Sequence, residues 1–436
     1  MRKSLAWPLA LAGAAAPTLA RAADAVNAAH QANGVDTIWI LISSTLVLLM
    51  CMPGLGLFYG GLVRTKNFLS VLVQVGAIAA VGSLLWIVCG YTIAFGTVTN
   101  GWFGATNALM LAGLAPLRAG LALPENSFAL FQMCFAAITP ALMAGAWVDR
   151  ARFGWVIGFC ALWGLVVYAP AAHWIWGGGW LATRLGTQDF AGGIVVHTTA
   201  GVSALVVAAM LGKRQGFPKT LMLPHSPALT MVGAALLWVG WFGFNGGSAL
   251  AGNGTAVNAI INTHVAASAA AMVWLGIERF VVGKPTSVGF ATGAIAGLAT
   301  VTPAAGFIAP GAALLLGCTG AAVCFPMIQL VKQKWRIDDS LDVFAVHGVG
   351  GMTGSVLLAL FLSPALGGAG YSQDMDLARQ ALAQLAGVGV VALWSAAASV
   401  AIALAVAQIV PMRVGEDDER EGLDLASHGE RAWEMD

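Results

Sequence analysis

Along the chain, long apolar runs alternate with short connections rich in Gly, Pro and charged residues. From Asp36 onward eleven such runs follow one another, at approximately 36–60, 68–97, 126–148, 153–178, 190–212, 228–250, 255–278, 286–305, 308–331, 342–363 and 383–411. Each is near the roughly 20 residues needed to cross ~30 Å of hydrocarbon. The pattern predicts an all-α integral membrane protein with eleven transmembrane helices spanning 36–411, followed by a polar tail at 412–436. Upstream, Met1-Arg2-Lys3, an apolar stretch from Leu5 to Leu19 and Ala20-Arg21-Ala22 read as a cleavable signal peptide over 1–22, leaving a segment at 23–35 outside the cytoplasm.

Short cytoplasmic loops collect Lys and Arg. Fifteen of the 21 such residues fall in alternate connections, among them Arg64, Arg150, Lys213, Arg279, Lys332 and Arg413. That places the mature N-terminus outside and the C-terminus inside, the result an odd number of spans requires. Composition narrows the class further. The chain is 58% hydrophobic and 9% charged, against about 25% charged in soluble domains, which excludes an ordinary soluble enzyme. A net charge of +1 offers no field for nucleic acid. The six cysteines stand singly in apolar stretches and read as packing residues rather than as a metal or redox set.

Two runs share a motif. Asp189-Phe-Ala-Gly-Gly-Ile-Val-Val-His197-Thr-Thr-Ala-Gly201 and Asp339-Ser-Leu-Asp-Val-Phe-Ala-Val-His347-Gly-Val-Gly-Gly351 both read D-x7-H-x3-G. A five-helix unit repeated once enters the membrane in opposite senses, because five is odd, so the pattern predicts an inverted 5+5 repeat plus a final helix. Phe58-Tyr59-Gly60-Gly61 and Phe244-Asn245-Gly246-Gly247 support it weakly. On these boundaries His197 and His347 each lie ~6–8 Å from a helix midpoint. An ionisable residue at that depth is a functional candidate by default. Two imidazoles, each with one donor and one acceptor, can share a proton. A zinc site lacks further ligands: His173 falls near a helix end, and His30, His225, His264 and His428 at loops or edges. A hydrolase lacks a nucleophile, since Thr198 and Thr199 are sequence neighbours of His197 and do not face it.

Phe131-Gln132 with Phe135, Asp149-Arg150-Ala-Arg152-Phe153, Trp176-Gly-Gly-Gly179 and Asp189 to His197 follow one another in order. Trp241-Phe-Gly-Phe244-Asn-Gly-Gly-Ser248, Asp339 to His347, Glu419 to Asp424 and Ser427 to Glu430 complete the series. Together these resemble the Amt/Mep/Rh ammonium transporter family, most closely its bacterial Amt branch, over nearly the whole chain. The resemblance implies a homotrimer in the bacterial cytoplasmic (inner) membrane, with the 23–35 segment periplasmic and one ammonium pathway per subunit. It implies recruitment of ammonium by Phe135, Trp176 and Ser248, a gate of Phe135 over Phe244, and a pore and proton relay at His197 and His347. Asp189, Phe131, Trp241 and Tyr168 are implied in supporting positions. Ammonia would pass an apolar lumen while the proton moves separately, so that transport carries charge. No cofactor is implied. The tail is implied to touch neighbouring subunits and to help a trimeric PII-type signalling protein block the cytoplasmic mouth. A rival from another class is an ammonium sensor that signals through a cytoplasmic partner.

Overall fold

A computed structural model describes residues 31–433 of the chain apart from residue 221. The expected signal peptide, His30 and most of the 23–35 segment lie outside these. Among the described residues, ten helices are long and apolar enough to cross a membrane. They are α1 (Gly34–Leu62), α2 (Thr65–Phe95), α3 (Glu125–Trp147), α4 (Phe153–Leu185), α5 (Gly193–Leu211), α6 (Pro227–Gly247), α7 (Gly254–Val281), α9 (Pro310–Trp335), α10 (Phe344–Phe361) and α11 (Leu377–Ala407). The remaining apolar run forms α8 (Ser287–Val301), a helix of 15 residues. It stops short of the expected 286–305 because Pro303, lacking an N–H, cannot continue the ladder, and 302–308 proceed as turns.

Departures from straight helix have local causes. Pro53 lies in a wide-turn segment of α1, Met50–Leu55, where the ring removes one hydrogen-bond donor. In α4 the helix breaks at Trp176-Gly177-Gly178-Gly179 and resumes as Trp180–Leu185. His264, expected at an edge, sits well inside the continuous 28-residue α7 with its side chain exposed. The expected run 255–278 passes through Asn262 and Thr263, and the helix accommodates the polar Asn262 because its amide donates to Ala305 O (2.8 Å) and Ile308 O (2.7 Å).

Burial locates the centre. Of the best apolar window of α3, 89% is buried, and 72% for both α5 and α10, against 33% for α2 and α9. Helices α3, α5 and α10 are therefore interior and α2 and α9 peripheral. At the centre α5 and α10 cross antiparallel, with Gly193 against Ser355, His197 against Gly351, and Gly201 against Gly348. A Cβ at Gly201 would overlap the Gly348 backbone, and one at Gly351 would overlap His197 Cβ and the Gly193 carbonyl. The glycine four residues after each histidine is thus what lets the two histidine-bearing segments touch.

One end of the bundle gathers the basic connections. Arg150, fully buried, donates from Nε to Gly212 O (2.9 Å), from Nη1 to Ser340 Oγ (2.8 Å) and from Nη2 to Asp338 O (2.8 Å). It ties the connections after α3 and α5 to the one before α10. Arg214 closes on Asp338 (2.8 Å) and Asp149 (3.3 Å). Burial raises the Asp338 carboxyl, but the Arg214 guanidinium outweighs it and holds the group below its ordinary range.

The tail folds onto this same end as two short helices, α12 (Glu416–Glu421) and α13 (Leu423–His428). Asp424 accepts from Ser70 N (2.7 Å) at the start of α2, Asn67 Oδ1 accepts from Leu423 N (2.7 Å), and Glu419 accepts from Gln215 N (2.7 Å) and pairs with Arg413 (2.7 Å). Within the charged run of the tail, Glu416 to Glu421, Glu419 is buried while the Asp417 side chain is 99% exposed, and Asp424 just beyond it is buried too. The run is therefore not uniformly solvated.

Candidate functional site

Five rings line up through the centre of the bundle. Trp176, at the break in α4, meets Phe135 of α3 edge-on with centroids 5.9 Å apart. Phe135 lies over Phe244 of α6 at 4.3 Å and 30°. Phe244 is followed by His197 at 6.2 Å and 23°, and His197 by His347 at 5.2 Å and 24°. Trp241 flanks His197 at 5.5 Å, and Phe131 abuts Phe135 at 5.0 Å. Phe135, Phe244, His197 and His347 are all buried, while Trp176 and Ser248 at one end of the row are partly exposed.

Local folding sets each ring. The Trp176 indole N–H donates to Asp189 O (2.7 Å), which fixes the ring plane and leaves its face and edge to the row. Ser248 Oγ donates to Phe244 O (2.8 Å). With its proton committed there, the oxygen keeps lone pairs for an incoming donor. The Trp241 indole donates to Thr302 Oγ1 (2.9 Å), beside the proline that ends α8. Asp189 is not in the row. Its Oδ1 accepts from Gly192 N (2.8 Å) and Gly193 N (2.8 Å), and its Oδ2 from Ile194 N (2.8 Å) and Val195 N (3.0 Å). It satisfies donors that the first turn of α5 would otherwise leave unpaired. Tyr168 lies off the row against Trp86 (6.3 Å), its buried hydroxyl without a partner.

Both histidines occupy wide, i→i+5 turns that open their helices, Gly193–Thr198 and Phe344–Val349. Such turns recur at functional sites. Their Nδ1 atoms stand 3.3 Å apart, and His197 Nε2 is buried without a partner. Two neutral rings in this register share one Nδ1–H between them and turn their Nε2 atoms away from each other. Sequence reasoning gave no site role to Thr302, Tyr59, Lys332 or Asp342. The first has no motif signal at all. Lys332 is named only among the basic residues of the connections and Asp342 only inside the second histidine motif, and neither carries a mark of their pairing.

The sequence profile of the Ammonium Transporter Family matches residues 38–433. An ammonium transporter of Aquifex aeolicus is 42% identical over 404 residues, covering 92% of this chain and 93% of that one. The crystal structure of Mep2 from Candida albicans superposes with a TM-score of 0.83 at 36% identity, covering 90% of this chain and 88% of that one. A structure described as a sensor Amt protein superposes with a TM-score of 0.85 at 28% identity, covering 90% and 98%. An all-helical, multi-pass membrane fold with a buried ring row defines the class, and the chain belongs to the ammonium transporter family.

Proposed function

We propose that the chain is an electrogenic ammonium transporter whose pathway is the ring row. Ammonium is recruited between Phe135, Trp176 and Ser248. Aromatic faces attract a partly desolvated cation by ~0.5–2 kcal/mol, and Ser248 Oγ accepts one N–H. Phe135 over Phe244 closes the way inward. A whole charge at mid-membrane costs at least ~2.5–3.5 kcal/mol, so ammonium gives up its proton near the entry and ammonia continues. The proton passes along His197 and His347. Each turnover then moves one ammonia and one proton, hence one positive charge. The observation that carries this reading is the unbroken row from the partly exposed Trp176 to the two imidazoles 3.3 Å apart at Nδ1.

The reading includes eleven spans with α8 as the eighth, N-terminus out and C-terminus in, an inverted repeat and a homotrimer in a bacterial inner membrane. The antiparallel crossing of α5 and α10 supports the repeat. The tail, held on the basic end, is the surface on which a PII-type protein would block the mouth. The test is current on a solid-supported membrane from liposomes pulsed with ammonium or potassium, for wild type and for His197→Ala/His347→Ala. An ammonium current without a potassium current, with current or selectivity lost in the double variant, is expected. Potassium has no proton to give up. The likeness to a sensor Amt protein favours one second reading, ammonium sensing through a cytoplasmic partner. A well-folded wild type that passes no ammonium current would overturn electrogenic transport and leave sensing, or passage of neutral ammonia alone, in its place.

A further inference from the structure

A cavity of about 170 Å³ opens beneath His347 toward the basic end, and its walls include Tyr59, Met222, Lys332, Ser340 and Asp342. Among the described residues lining it, Asp342 supplies the carboxylate and Lys332 the ammonium group. The two meet at 2.7 Å, with side chains 26% and 21% exposed. Lys332 Nζ also donates to Ser340 O (3.3 Å). The Ser340 hydroxyl is in turn held by the buried Arg150, so the lysine is anchored to the same fixed network that joins the connections. Asp342 is a non-glycine residue at φ 63°, a left-handed backbone that L residues rarely adopt. An outlier of this kind is kept where the surrounding structure requires it.

The chemistry of the pair bears on the substrate. A lysine side chain ends in a substituted ammonium, with three N–H donors and one positive charge. A bare carboxylate facing a cavity under the histidines would draw monovalent cations from that side, ammonium foremost because it offers charge-assisted N–H bonds. The lysine supplies the same group from within the chain, at the high effective concentration of a short tether. Near the Trp176 end the arrangement is the reverse. The only described carboxylate beside the row there, Asp189, is spent on backbone N–H groups, and the recruiting residues are neutral.

Building on the transport reading, we propose that Lys332 is a tethered stand-in for ammonium. It occupies Asp342 and keeps cations on the basic side out of the cavity beneath His347. Ammonia and proton leaving the histidines therefore meet a cavity free of product, and inward transport resists inhibition by ammonium already inside.

The experiment uses full-length protein in liposomes preloaded with graded ammonium, then pulsed with ammonium outside. In Lys332→Met, half-inhibition of the inward current is expected at roughly tenfold lower internal ammonium than in wild type, the effect of ~1.4 kcal/mol of freed carboxylate affinity. Adding Asp342→Asn to Lys332→Met is expected to restore wild-type tolerance, which a merely structural loss would not do. Crystals soaked in thallium(I), a monovalent cation visible by anomalous scattering, are expected to show a peak at Asp342 in Lys332→Met and none there in wild type or the double variant. Unchanged inhibition in Lys332→Met, a double variant as sensitive as the single one, or no thallium at Asp342 in Lys332→Met would each overturn the proposal. Should wild type pass no ammonium current, the transport reading falls alone, and the thallium result still decides whether Lys332 guards Asp342.

Discussion

Asp189 and Asp339 stand eight residues before their histidines in matching segments, yet the two ends are finished differently. Asp189 accepts four backbone N–H groups, two on each oxygen. Asp339 accepts one from Phe344 N (2.8 Å) on Oδ2, and its buried Oδ1 has no partner. Asp342, with the carboxylate that Lys332 holds, lies close by. Burial, and after it the nearby Asp342 charge, pushes the Asp339 carboxyl up to about 7. The same residue type at the same spacing therefore serves as a saturated cap in one half and stands under-bonded in the other. The difference lies in the backbone. Gly192 at φ 120° curls the chain so that four successive N–H groups converge on Asp189, a path closed to a residue with a Cβ. The position matching Gly192 is Asp342, at φ 63°, and its N–H is turned to the Asp339 main-chain O (3.3 Å) rather than to the Asp339 carboxylate.

The comparison is broken most forcefully by removing the caps. Asp189→Ala would leave four buried N–H groups without acceptors. At ~1–3 kcal/mol for each unsatisfied buried group, that is a loss of several kcal/mol, enough to abolish recovery of folded protein from the membrane. Asp339→Ala frees only the Phe344 N–H, so a loss of ~1–3 kcal/mol is expected, with folded protein still recovered. Size-exclusion profiles and thermal melting in detergent read both. Equal losses in the two variants would show that the carboxylates are equivalent after all.

Much of this architecture was legible in the residues, and what was hidden has identifiable causes. Hydropathy marks a helix whenever a run of about 20 apolar residues must shield its backbone from lipid, so ten of the expected runs appear as long helices. It is blind to local backbone events. The stop at Pro303 shortened α8, and the Trp176-to-Gly179 break set the mouth of the ring row inside one apolar run. The D-x7-H-x3-G motif located the two histidines. It did not reveal that its glycines are the contact points, because that requires knowing that α5 and α10 cross antiparallel. The Phe135, Phe244 and Trp176 rings carry no signal apart from the family resemblance, since an aromatic residue in a membrane helix is as compatible with lipid contact or interfacial anchoring as with a pore. Thr302 and Lys332 were hidden for a related reason, since their partners are distant in sequence or reversed in role.

A finer discrimination between the halves comes from pH. Asp339 goes from its ordinary 3.8 to about 7 in the folded chain. Between about pH 4 and 7 the folded state therefore holds a proton that the unfolded state has released. Stability falls as pH rises through that window, the opposite sign to a salt-bridged aspartate. Asp339→Asn, close in shape and always neutral, removes this slope. Melting temperatures measured from pH 5 to 8 are expected to decline for wild type relative to the variant, with the gap levelling off above about pH 7. A parallel pH course for the two proteins would place the missing partner of Oδ1 elsewhere and return Asp339 to the ordinary range.

The smallest expected effect concerns the rings beside the histidines. His197 has Trp241 stacked at its side, whereas among the described residues His347 pairs only with His197. The indole is held by a hydrogen bond to Thr302 Oγ1, and Thr302 Oγ1 itself donates to Leu298 O (2.7 Å). Thr302→Val keeps the shape and removes both bonds. The indole N–H, buried from water, then lacks a partner, and a loss of about 1 kcal/mol is expected. Thr302→Ser retains the acceptor and should lose little. If Trp241 serves only to fill space beside His197, the ammonium current of Thr302→Val stays at the wild-type level once corrected for folded protein. If its fixed ring plane keeps the two imidazoles in register, the current falls by several-fold in Thr302→Val and is preserved in Thr302→Ser. The second outcome is expected, because the bond to Thr302, just past the end of α8, is what fixes the plane of the Trp241 ring stacked beside His197.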